Sequence, residues 1–266
     1  MATSLIPRRI LFDNPDRALP RLSPNGEKLS YLAPMDGVLN VWVGAIDDPG
    51  AAEPVTKDTI RGIRIYFWAY TNKHIIYLQD KGGDENWHVY SVDLSTGKTK
   101  DLTPLEGVQA QINAVSPHTP AVVIVGLNDR DPQFHDLYSI NIATGDRRLI
   151  QENREFAGYL IDDDYNVRFA LRVTPDGGSE MLRPAEKGDW ELFTKIEMED
   201  LLTTSPIGFD KTGKILYMID SRGRDTAAMV TIDLDTGEET MVAEDLRADI
   251  SDMMTHPTEK HIEAVA

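Results

Sequence analysis

Residues 74–79 read HIIYLQ, an apolar run centred on Tyr77, and it decides the fold because it keeps coming back. Its counterparts are KLSYLA around Tyr31, AVVIVG around Val123, VRFALRV around Ala170, KILYMI around Tyr217 and HIEAVA around Ala264. The steps between these centres are 46, 46, 47, 47 and 47 residues. A turn keeps the same beat: the Thr-Gly turns ending at Gly97, Gly145 and Gly237 are separated by 48 and then 92 residues. A period in the forties built from short strands and turns implies an all-β propeller, one four-stranded antiparallel blade per repeat. The repeats place blades near 21–60, 61–106, 107–153, 154–202 and 203–250, with the start of a sixth at 251–266 and a lead-in segment over 1–20.

Within one repeat the strands can be placed individually. Tyr66–Tyr70 is a short aromatic strand, His74–Asp80 a second, Trp87–Leu94 a third and Lys98–Leu102 a fourth. The second strands are almost continuously apolar, as expected where a sheet is covered on both faces. Their cores are Ile75–Leu78, Val122–Val125, Phe169–Val173 and Ile215–Ile219. The third strands alternate instead: Tyr90, Val92 and Leu94 oppose Ser91 and Asp93, and Val230, Ile232 and Leu234 oppose Thr231 and Asp233. That period of two belongs to strands and not to helices. Only the first turn and part of a second strand of the sixth copy are present, which leads us to expect an open ring and a longer parent protein.

Composition limits the function. The 44 acidic and 27 basic residues give a net charge of −17, which opposes binding to nucleic acid or to an anionic membrane surface. There is no cysteine, hence no disulfide or thiolate site, and nothing requires an oxidising compartment. The opening MATSLIPRRILFDNP places prolines and charges where a signal peptide needs an apolar run. A cytoplasmic protein without cofactor or metal is expected.

No catalytic constellation stands out. None of the eleven serines lies in a Gly-x-Ser-x-Gly elbow, and the six histidines lack metal-ligand spacing. Asp162-Asp163-Asp164 has neither the ligand spacing nor the glycine of a calcium loop, so it reads as a solvated turn. What remains are the loops between second and third strands: 81–86 (KGGDEN), 128–132 (NDRDP), 175–178 (PDGG) and 221–225 (SRGRD). In a four-stranded meander these emerge beside the connections between blades, and function favours loops held by a rigid scaffold. The candidate substrate- or interface-facing residues are therefore Asp84, Glu85, Asn86, Asp129, Arg130, Asp131, Arg222, Arg224 and Asp225.

At these loops the chain resembles a known family. The stretches LSPNGEKLSYLAP, FWAYTNKHIIYLQDKGGDENWHVYSVDLSTG, GLNDRDPQFHDLYSINIATG and DSRGRDTA are similar to serine peptidases of the prolyl oligopeptidase family, on its dipeptidyl aminopeptidase and acylaminoacyl peptidase side. The resemblance covers essentially the whole chain. It implies an N-terminal propeller that limits entry to short peptides and packs on an α/β-hydrolase domain carrying Ser, Asp and His. That domain lies beyond Ala266, so no catalytic residue is assigned and the chain alone is expected to be inactive. Some family members bind the substrate's amino terminus with propeller carboxylates, for which Asp84 and Glu85 are the candidates. Two alternatives stay open: a free-standing interaction module similar to TolB, and a propeller lactonase, for which no inward cluster of metal ligands is evident.

Overall fold

The computed structural model describes residues 5–266; the first four residues of the expected lead-in lie outside it. Five four-stranded antiparallel sheets follow one another, each with its strands in chain order, and a two-stranded sheet ends the series. The second sheet is typical: Ile65–Trp68, His74–Gln79, His88–Asp93 and Lys98–Asp101. The first sheet starts at Ala18, inside the expected lead-in, and the last pairs Met253–Thr255 with Ile262–Val265. Among the described residues helix is confined to Arg8–Phe12 and three single 3₁₀ turns. None is long and apolar enough to cross a membrane.

Why these segments pair is visible in their registers. Tyr66 faces Tyr77, and Tyr77 faces Tyr90, whose rings stack at 5.1 Å. Ile75, Ile76 and Val123 to Val125 are wholly buried, which explains why their strands carry no polar alternation. By the hydrophobic effect each such side chain contributes on the order of 1.5–3 kcal/mol.

The chain divides into two compact units. One comprises residues through Ile112 with Pro120–Val123 and Ile140–Arg148; the other holds Asn113–Thr119, Ile124–Ser139 and Leu149–Ala266. In the first, Leu32, Val41, Tyr66, Trp68, Ile75 and Val92 form one cluster between the first and second sheets. In the second, Phe169, Met181, Leu216, Met218 and Val230 join the fourth and fifth sheets.

The aspartate run forms a turn in which every carboxylate has a cationic or imidazole partner. Asp162 meets Arg168 at 3.1 Å, Asp163 meets Lys260 at 3.3 Å, and Asp164 meets the His118 ring at 2.7 Å.

Candidate functional site

The 128–132 segment is not a loop. Its strand runs Val122–Asp131 and the next begins at Phe134, leaving only Pro132 and Gln133 to turn the chain. The reason lies across the hairpin, where Arg130 places a two-pronged fork on the buried Asp136, with Nε–Oδ2 and Nη2–Oδ1 both 2.8 Å. Those bonds to Asp136 raise the Arg130 pKa above its ordinary value, and the same guanidinium donates to the Asn153 carbonyl. Asp129 accepts from the Tyr138 hydroxyl at 3.1 Å and Asp131 from the Gln133 amide at 2.9 Å. All three expected site residues here serve the sheet itself.

The 221–225 loop is likewise bonded to its own framework. Arg222 donates through Nε and Nη2 to Asp220 and through Nη1 to the Thr194 hydroxyl at 2.6 Å. Burial pushes the Asp220 carboxyl up, but the Arg222 bonds outweigh it and hold its pKa below the ordinary value. Arg224 reaches Glu244 at 3.3 Å, while Asp225 is exposed. Ser221 sits between Thr203, Thr204 and Asp200, a hydroxyl network without an imidazole to activate it. The remaining loop, 175–178, is held by Asp176, whose carboxyl is drawn down to about 2 by the Thr174 hydroxyl, Lys195 and the Gly178 amide.

The 80–87 segment behaves differently. Two glycines at φ +70° and +94° and Glu85 at +61° fold it back on the strand that precedes it. Asp84 accepts from the amides of Lys81 and Asn86 at 3.1 and 3.2 Å. Desolvation opposes these bonds, yet they prevail and lower the Asp84 pKa. Asp84 therefore shapes the loop, and the exposed Glu85 side chain next to it has no partner among the described residues. Beneath them lies Asp80, its side chain fully buried. Its Oδ2 accepts from the Glu85 amide at 3.3 Å, whereas its Oδ1 has no hydrogen bond; the nearest cation is Arg61 Nε at 3.6 Å. His88 beside the loop is paired with Asp101 at 2.8 Å.

Sequence reasoning named Asp84, Glu85 and Asn86; the structure adds beside them Asp80, Arg61 and an apolar cavity of about 380 Å³ at the foot of the loop. Gln109 connects cavity and loop, lining the one and donating from Nε2 to the Glu85 carbonyl at 3.3 Å. No group of three or more His, Asp or Glu side chains among the described residues is placed to hold a metal ion.

No family model matches the chain. Individual relatives do. The chain is 49% identical over 99% of its length to dipeptidyl aminopeptidase BIII of Pseudoxanthomonas mexicana. It is 30% identical, again over 99% of its length, to dipeptidyl peptidase family member 6 of Caenorhabditis elegans. It spans 38% of the length of each of these relatives. Among solved structures it is similar to the β-propeller domain of the Trilobed protease from Pyrococcus furiosus, with a TM-score of 0.54 at 15% identity over 90% of this chain and 73% of that one. TolB from Acinetobacter baumannii gives 0.51 at 14% identity over 86% and 54%. At such identities the structures establish the fold, a β-propeller with five four-stranded blades and a two-stranded sixth. The chain is thus a β-propeller that is similar in sequence, over nearly all of its own length, to part of two dipeptidyl peptidases.

Proposed function

We propose that this propeller selects substrate for a serine peptidase that cleaves short peptides from a free amino terminus. Nucleophile, general base and oxyanion donors come from a hydrolase domain that packs on it. The observation that carries the reading is the 80–87 segment: an exposed carboxylate, Glu85, without a partner among the described residues, on a loop whose shape Asp84 and two glycines fix. An ammonium group is the ligand such a carboxylate attracts. The likeness of nearly the whole chain to part of a dipeptidyl aminopeptidase supports the same class of substrate. The reading places the protein in the cytoplasm, where a chain without cysteine needs no disulfide chemistry.

The test is active-site labelling of the longest protein its gene encodes, using a fluorophosphonate probe and mass spectrometry. Stoichiometric label on one serine outside residues 5–266 is expected. Label on any serine from Ser23 to Ser251, or none at all, overturns the assignment and favours an interaction module.

A further inference from the structure

The geometry points to a specificity pocket: the apolar slot at the foot of the 80–87 loop receives the side chain of a peptide's first residue, so that apolar amino-terminal residues are preferred. The proposal takes the direction of the peptide from the Glu85 reading; the slot itself stands on separate observations.

Ile65, Phe67 and Leu78 lie on one face of the second sheet, because Ile65 pairs with Leu78 and Phe67 with Ile76. The opposite face carries Tyr66, Trp68, Ile75 and Tyr77, which are at most 8% exposed in the core. Ile65 is 53% exposed on the same short strand. Together with Trp87, Gln109 and Gln111 these residues line the slot of about 380 Å³. That volume is near the lower end for ligand pockets and suits one or two peptide residues.

Charge and backbone select the occupant. A net charge of −17 and the adjacent Glu85 disfavour an anionic ligand. The strand that begins at Ala110 is the edge of its sheet; its first amide donates to the Trp87 carbonyl at 2.8 Å, and the main chain further along that edge can align an extended peptide. The Gln109 and Gln111 carboxamides supply polar rims around an apolar floor. A short peptide with a free ammonium group and an apolar first side chain satisfies all three features at once.

The test is calorimetric titration of the intact chain with Phe-Ala-Ala, Asp-Ala-Ala and N-acetyl-Phe-Ala-Ala. Phe-Ala-Ala should bind at least about tenfold tighter than Asp-Ala-Ala, the ratio expected for burying one large apolar side chain. Gln111→Trp fills the slot and Ile65→Glu charges its mouth, both at exposed positions where the fold tolerates change. Each should abolish the preference without shifting the thermal midpoint. A preference that survives both substitutions, or no binding of any peptide, overturns the slot. If acetylation changes nothing while the variants erase the preference, the slot stands and the Glu85 reading falls. If acetylation weakens binding and the variants do nothing, the reverse holds.

Discussion

Asp80 and Asp220 stand 140 residues apart, the same interval that separates Tyr77 from Tyr217, so they occupy one position in two repeats. Both are buried where a second strand ends, at 6% and 4% exposure, and each is followed three residues later by a glycine at positive φ. The difference lies between: the fifth repeat has Arg222 where the second has Gly82. Arg222 forks onto Asp220 from within its own loop. In the second repeat the nearest cation, Arg61, comes from the connection before the first strand, stands at 3.6 Å and makes no hydrogen bond to the carboxylate. One loop is closed by its own ion pair. The other keeps polar capacity unfilled beside an exposed Glu85 and an apolar slot, and that contrast is why we assign recognition to the second repeat.

The sharpest way to break the comparison is to neutralise each aspartate. Asp220→Asn leaves the Arg222 guanidinium without its counter-charge in a partly buried site, at an expected cost of about 2–4 kcal/mol. Asp80→Asn keeps an acceptor for the 3.3 Å amide bond and loses only the charge contact to the partly exposed Arg61 at 3.6 Å, so it should cost less than about 1 kcal/mol. Urea unfolding of the two variants decides, and equal losses would show the repeats to be equivalent. Acid sharpens the contrast. The Asp220 pKa is lower in the folded chain, so its contribution is complete above the unfolded value of about 3.9 and is lost as pH falls through the folded value. Asp220→Asn should therefore flatten the fall in stability below about pH 4.

The same two repeats mark what could be read without a structure. Strands were legible because burial on both faces writes itself as an unbroken apolar run, as in Ile75–Leu78 and Val122–Val125. The fork of Arg130 on Asp136 was not, since charged residues in a row look like a loop until the partner strand is known to place Asp136 across the hairpin. Asp80 did carry a signal. Aligning the repeats puts Gly82 over Arg222 and exposes a carboxylate that has lost its internal partner. The slot had none, because nothing in the sequence tells that the sheet face carrying Ile65 stays partly open.

Kinetics of the longest natural form gives a smaller effect. Glu85→Gln removes the charge proposed to face an ammonium group, so KM for free-amine peptides should rise about tenfold with kcat within about twofold, a loss of uniform binding. N-acetylated peptides should not distinguish this variant from wild type. Asp225→Asn, in the loop closed by Arg222, should leave both parameters unchanged. If Asp225 matters as much as Glu85, recognition is shared between repeats and the contrast fails.

The smallest effect separates the two glycines. Gly223→Ala and Gly83→Ala each place a methyl group on a left-handed backbone, at φ +70° and +94°, which costs about 1–2 kcal/mol. A Cβ at Gly223 meets nothing within 4 Å, whereas one at Gly83 falls 2.6 Å from Arg61 Nη1. Arg61 must then move. Its side chain is 35% exposed and it makes no hydrogen bond to Asp80, so the movement should add no more than about 0.5 kcal/mol. Thermal midpoints of the two variants should therefore agree closely. A much larger loss for Gly83→Ala would mean that Arg61 is fixed in place, and that the Asp80–Arg61 pair is as firm as the Asp220–Arg222 pair it is contrasted with.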